Sequence, residues 1–242
     1  MKIKKLISAL VLGSMLVGLS GCNITDFSAE NLLRPPKAVG DEAEIEQLIA
    51  KTADSGYTLK YPKNGKFRSA IIMTDLDGND SNEAVAFFRN SVETSSVHML
   101  VMYSKDNSWE IASDNIFETT DIDSVDFADL TGNGKAEIIV NSTTYTPNVG
   151  KLSCYSYSEG KTNEVGSGQS CSSFVTGDFD NDGTSEIMSL VLYTTENEAL
   201  ASMLDYNEDS KSLYAKAMAN MDPNVVKYKN IAVTKLDNIF SN

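Results

Sequence analysis

Thr176–Val191 reads TGDFDNDGTSEIMSLV. Four carboxylates fall between Asp178 and Glu186, and the chain then turns at once into an apolar, strand-like run. Counted from Asp178, the acids Asp178, Asp180 and Asp182 hold positions 1, 3 and 5; Gly183 holds position 6, Thr184 position 7 and Glu186 position 9. Alternate carboxylates on a tight turn converge on one point. A hard cation such as Ca²⁺ takes six to eight oxygens from such carboxylates together with a backbone carbonyl. Glycine at position 6 permits the left-handed backbone that swings the position 7 carbonyl inward. Without an ion the like charges would repel within a small volume.

The turn is not isolated. SAIIMTDLDGNDSNEAVAFF from Ser69 and DSVDFADLTGNGKAEIIV from Asp123 align with SSFVTGDFDNDGTSEIMSLV from Ser172. Each reads as apolar strand, acidic turn, glutamate, apolar strand. The opening residues Asp75, Asp129 and Asp178 are 54 and 49 apart. Two more strand-like stretches follow each turn: VHMLVMYS and SWEIAS, then KLSCYSYS and a weaker TNEVGSG, then ALASMLDY and SLYAKAM. Four strands in about fifty residues is the size of a propeller blade. The predicted blades are 68–121, 122–171 and 172–224, with a partial fourth over 225–242, where VTKLDN echoes VTGDFDN. Three blades and a stub do not close a ring. The expectation is an N-terminal piece of a longer protein; an open stack or closure with another chain are the alternatives.

In the first turn the candidate ligands are Asp75, Asp77, Asn79, Ser81 and Glu83, with glycine at position 4 and Asp80 at position 6, where aspartate tolerates positive φ. In the second they are Asp129, Thr131, Asn133, Lys135 (through its position 7 carbonyl) and Glu137. Only two of these carry negative charge, so this turn is expected to bind most weakly. An EF-hand is excluded, because position 12 is Ala86, Val140 and Ser189 and the flanks alternate like strands. The bland alternative for each turn is a solvated Asx-turn. The repeated D-x-D-x-D-G-x-x-[DE] pattern resembles the calcium-binding loop of the FG-GAP/VCBS repeats of integrin α-like β-propellers, over roughly Ser69–Asn242. The resemblance implies an all-β, propeller-like fold with structural Ca²⁺ in the turns joining the first two strands of each blade.

The N-terminus begins MKIKKLISALVLGSMLVGLSGC. A lysine-rich start, an apolar run from Leu6 to Leu19 and the small-residue ending Leu19-Ser20-Gly21-Cys22 resemble a bacterial lipoprotein signal over residues 1–21. Cys22 is then the expected lipidation site, and two or three acyl chains would hold the protein at the extracytoplasmic face of a bacterial membrane. Residues 22–40, with Pro35-Pro36, read as a tether. DEAEIEQLIAKTAD places Ile45, Leu48 and Ile49 at helical spacing, with acids early and Lys51 late, so 41–62 reads as a helix followed by a short strand. The repeats then occupy 63–242.

Composition narrows the function. The formal charge of −14 becomes −17 once the three lysines of the signal are removed, which argues against nucleic acid as a partner. Apolar content of 41% is that of a globular chain. Cys154 and Cys171 lie on neighbouring strand-like stretches, and outside the membrane they are a candidate disulfide pair, with two buried thiols as the alternative. His98, the only histidine, sits in an apolar strand and reads as a sheet residue; Trp109 reads as core, and Tyr145 as a loop residue open to a partner. No P-loop, G-x-S-x-G or H-E-x-x-H pattern occurs. The expected function is a membrane-anchored, calcium-binding surface protein that binds protein or carbohydrate and is not an enzyme. The alternatives are a polysaccharide-active hydrolase or lyase whose catalytic part is missing or unrecognised, and an envelope-complex scaffold.

Overall fold

The computed structural model describes residues 40–221, apart from 55, 147 and 194–196. The signal segment, Cys22, the tether up to residue 39 and the partial fourth repeat lie outside the described residues.

Among the described residues one helix, α1 (Asp41–Ala53), precedes thirteen strands. Asp41, Glu42 and Glu44 in its first turn and Lys51 in its last oppose the helix dipole in the favourable sense. Ile45, Ile49 and Ala53 fall on one side at helical spacing and are buried.

The strands form three antiparallel sheets, each from strands consecutive in sequence. The first contains β1 (Tyr57–Leu59), β2 (Ile71–Thr74), β3 (Glu83–Asn90), β4 (Val97–Lys105) and β5 (Ser108–Phe117). The second is the meander β6 (Ile122–Ala128), β7 (Glu137–Thr143), β8 (Gly150–Ser158) and β9 (Lys161–Cys171). The third is β10 (Ser173–Gly177), β11 (Glu186–Tyr193), β12 (Glu198–Asn207) and β13 (Ser212–Met221). None of the three sheets closes on itself. The described residues are thus all-β after a short helix; each of the three sheets takes four strands from one predicted repeat, and the first gains β1 as a fifth.

The segment 41–62 is continuous with the first repeat. Strand β1 pairs with the far end of β3 (Tyr57 opposite Asn90), on the edge whose near end is taken by β2. The connector after β1 ties the first sheet to the second: Lys63 and Asn64 donate backbone N–H groups to Ile122 and Asp123, and the amines of Lys60 and Lys63 reach Asp121 at 2.5 and 3.0 Å. Burial works against the charge on Asp121, but the two lysines outweigh it and hold its carboxyl below the usual range.

Strands β3, β7 and β11 are buried on both faces, which is why EAVAFF, EIIVNS and EIMSLV read as continuous rather than alternating. Alternation then sorts the core into layers. Ala84, Ala86 and Phe88 pack under Ile45 and Ile49 of α1. Val85 and Phe87 meet Ile138, Val140 and Tyr155 of the second sheet. Ile139 and Leu152 meet Ile187, Leu204 and Leu213 of the third. Gly166 on β9 is needed in that last layer: a Cβ there would lie 2.8 Å from the Leu213 side chain.

The disulfide expectation is corrected by strand register. Cys154 on β8 lies opposite Gly166, whereas Cys171 on β9 lies opposite Gly150. Four residues along a strand is about 13 Å, beyond the ~7 Å limit for bridged Cα atoms. Both thiols are free and buried. Burial, chiefly, pushes Cys171 up to about 12 and Cys154 higher still.

Candidate metal centre

The three acidic turns are the β2–β3, β6–β7 and β10–β11 connections, all at the same end of their sheets, and are called loops 1, 2 and 3 below. Their local geometry repeats in detail. The position 2 N–H donates to the position 9 glutamate Oε2 at 2.8 Å in each: Leu76 to Glu83, Leu130 to Glu137, Phe179 to Glu186. The position 1 aspartate collects N–H groups from across its loop. Asp75 accepts from Gly78, Asn79 and Asp80, Asp129 from Asn133 and Gly134, and Asp178 from Asp182 and Gly183. The position 5 side chain accepts from the position 7 N–H: Asn79 from Ser81, Asn133 from Lys135, Asp182 from Thr184.

Such a tight path needs left-handed backbone twice. Position 6 has positive φ in all three loops (Asp80, Gly134, Gly183), and so does position 4 (Gly78, Gly132, Asn181). Glycine, aspartate and asparagine are the residues that tolerate this conformation.

Oxygen atoms converge in two of the loops. One carboxylate oxygen from each of Asp178, Asp180, Asp182 and Glu186 lies within 4.8 Å of the others in loop 3, and the same holds for Asp75, Asp77 and Glu83 in loop 1. In loop 3, Glu186 is fully buried, and its Oε1 has no hydrogen-bond partner. In loop 1 the buried Oδ1 of Asp77 has none either. A buried carboxylate oxygen without a donor is costly, and a bound cation removes that cost. All the donors are hard oxygens, which suits Ca²⁺ or Mg²⁺ rather than a thiophilic metal. Residues Ser81, Lys135 and Thr184 sit at position 7 as the sequence places them.

Loop 2 differs. It gathers no third carboxylate, and the Thr131 hydroxyl donates to Glu137 Oε1 at 3.2 Å, filling the place left open on Glu186. The position 3 aspartate of the other loops is here a donor that satisfies the glutamate from within.

Electrostatics follow burial. Glu83, Glu137 and Glu186 are buried, and desolvation raises all three above the usual carboxyl range, with neighbouring loop aspartates adding to the rise. Asp75 is held low: desolvation opposes its charge, but N–H groups of Asp80, Gly78, Asn79 and Asp77 outweigh it. Asp182 is lowered by the hydroxyl and N–H of Thr184.

Compared with known proteins, the chain matches no family model and no curated protein. The functional reading rests on the loops themselves and on what surrounds them.

Two features of the loops' surroundings escaped the sequence reading. The loops are stitched to one another: Ala136 N–H of loop 2 donates to Leu76 O of loop 1 at 3.1 Å, and Ser185 N–H of loop 3 donates to Asp129 O of loop 2 at 2.9 Å. A tyrosine from the next sheet also packs beside each of the first two loops, in one cluster with Leu76 or Leu130. Tyr157, pushed up to about 12 by burial and then by the charges of Glu83 and Asp77, stands by loop 1. Tyr206, raised by burial and then by Glu208 and Glu137, stands by loop 2. Their signal was available, since Tyr103, Tyr157 and Tyr206 each follow the loop's opening aspartate by 28 residues. Tyr103, whose sheet is the first among the described residues, donates instead to Glu110 at 2.5 Å.

The other singled-out residues fall in the framework. His98 lies in β4, buried, with Nδ1 2.9 Å from both carboxylate oxygens of Asp114 and its ring stacked on Phe88 at 4.7 Å. Trp109 belongs to the core beneath α1. Tyr145 is 95% exposed in the β7–β8 loop, at the end of the sheet opposite the acidic loops.

Proposed function

We propose that this protein is a lipid-anchored, extracytoplasmic binding protein whose sheets are blades of a propeller-like array stiffened by calcium. The observation that carries the reading is the convergence of carboxylates in loops 1 and 3 around buried oxygens that lack a donor. Asp75, Asp77 and Glu83 would hold one ion, with Asn79 and the Ser81 carbonyl; Asp178, Asp180, Asp182 and Glu186 would hold another, with the Thr184 carbonyl. Loop 2, closed by Thr131, keeps the turn geometry without calling for an ion. The ions supply no chemistry of transformation. They cancel charge at the joint between two strands and between neighbouring loops, and so add stability by mass action.

The propeller-like reading is supported by the serial layering. Tyr157 and Tyr206, each from the following sheet, share core clusters with Leu76 of loop 1 and Leu130 of loop 2, and the face of the third sheet turned away from the second is again apolar at Met188, Leu190, Ala199 and Ala201. A binding role is favoured over thiol catalysis because both core cysteines have raised, unreactive thiols. The exposed Tyr145 and Val92, on loops at the end opposite the ions, are the candidate contacts for a protein or carbohydrate. Among the described residues no helix is long and apolar enough to cross a membrane; attachment in this reading is through Cys22.

Calorimetric titration of the apoprotein with Ca²⁺ tests the metal role: two ions per chain are expected, with Glu83→Gln and Glu186→Gln each removing one. Absence of heat, together with equal melting in calcium and in chelator, would reject it. Membrane fractionation tests the anchor: Cys22→Ser is expected to move the protein to the soluble fraction, and an unchanged distribution would reject lipid attachment.

A further inference from the structure

Among the described residues, loop 3 is the only acidic loop with a protein cation on its carboxylates. Lys216, from β13 of the same sheet, bonds Asp180 and donates to Asp205 Oδ2 at 2.9 Å. Asp205 also accepts from the Tyr214 hydroxyl at 3.2 Å, so its carboxylate is anchored beside the loop. Asp180 is a position 3 ligand and the counterpart of Asp77, whose buried oxygen has no partner. Lys216 is the unpaired residue at the register shift between β12 and β13, and the corresponding shifts in the first two sheets fall at Ala112 and Val165, which carry no charge.

Resting on the reading that loops 1 and 3 take divalent ions, we propose that Lys216 is a tethered competitor that makes loop 3 the weaker site, so that loop 1 fills first although loop 3 has more carboxylates. Two effects act in the same direction. The ammonium relieves repulsion among the four carboxylates when no ion is bound, which stabilises the ion-free loop. Once an ion enters, the two positive charges share Asp180 and repel each other. Either the amine withdraws to Asp205 alone or the ion forgoes part of Asp180. The consequence is a protein that takes up calcium in two steps, the second at the higher concentration.

The test isolates each loop. Calcium is titrated calorimetrically into the full mature chain carrying Glu83→Gln, which leaves loop 3, or Glu186→Gln, which leaves loop 1. Glutamine keeps the position 2 N–H acceptor in both. Lys216→Met is then added to each, with Lys216→Gln as a second replacement that retains polarity at this partly exposed position. With loop 3 alone, either replacement is expected to tighten Ca²⁺ about tenfold, within the usual range of coupling between sites. With loop 1 alone, affinity is expected to stay the same. Binding at both loops with loop 3 unmoved or weakened by both replacements would overturn the role of Lys216 and leave the ion sites standing. No binding at either loop in any variant would overturn the ion-binding reading and this proposal together.

Discussion

Thr131 separates a closed acidic turn from an open one. Its hydroxyl stands where loops 1 and 3 carry a carboxylate, and it gives Glu137 the donor that Glu186 lacks. Thr131→Asp is expected to lower the melting temperature in chelator, to raise it in millimolar calcium, and to increase the stoichiometry from two ions to three. An equal shift in both buffers would show that the threonine is not what keeps the ion out. The alternating acids and the position 9 glutamate were plain in the sequence, because each loop repeats them. The second left-handed position was not. Only loop 2 carries glycine at both positions 4 and 6; loop 1 hides position 6 behind Asp80 and loop 3 hides position 4 behind Asn181. Lys216 was invisible for another reason: its partner Asp180 is 36 residues away, and only the pairing of β12 with β13 brings the two together.

At the scale of elements, α1 was legible to within a residue, because acids, apolar spacing and the late lysine agree on one helix. Its place was not legible. Nothing local in the sequence says that it covers Ala84, Ala86 and Phe88, or that β1 shares an edge of β3 with β2. Ile49 is fully buried under that cover, and Ile49→Ala is expected to cost about 2–5 kcal/mol in urea unfolding. A loss below ~0.5 kcal/mol, the range of surface substitutions, would mean that the helix does not seal the first sheet. Strand β9 shows the opposite failure. TNEVGSG reads weakly because only Val165 and Cys171 of the whole strand are buried, yet pairing with β8 carries it through eleven residues. That register, unreadable from spacing, is also what keeps Cys154 and Cys171 apart.

For the whole molecule, acidity acts in opposite directions with and without ions. Glu83, Glu137 and Glu186 have raised carboxyls in the folded protein, so between the unfolded and folded values the native state binds more protons than the unfolded one. By linkage, stability in chelator rises as pH falls from 7 toward the ordinary glutamate range near ~4.3. Below that range it falls, as Asp75, Asp121 and Asp182, all held low, are forced to protonate. If loops 1 and 3 hold calcium as proposed, Glu83 and Glu186 must stay ionised in saturating calcium, so their contribution falls as pH drops and only Glu137 still adds stability. Denaturant melts at pH 7 and pH 5 in both buffers check the sign. A parallel decline in chelator and calcium would contradict the electrostatic account.

The neighbour-only connectivity of the sheets bears on how the chain reaches this state. Every ladder except β1–β3 joins strands adjacent along the chain, so most pairings close through turns a few residues long. Short closures cost little entropy and favour rapid formation. Each meander can therefore assemble soon after it leaves the ribosome, using the finished sheet before it as a template for its inner face. The amino-terminal half would then become protease-resistant while the carboxy-terminal half is still being delivered.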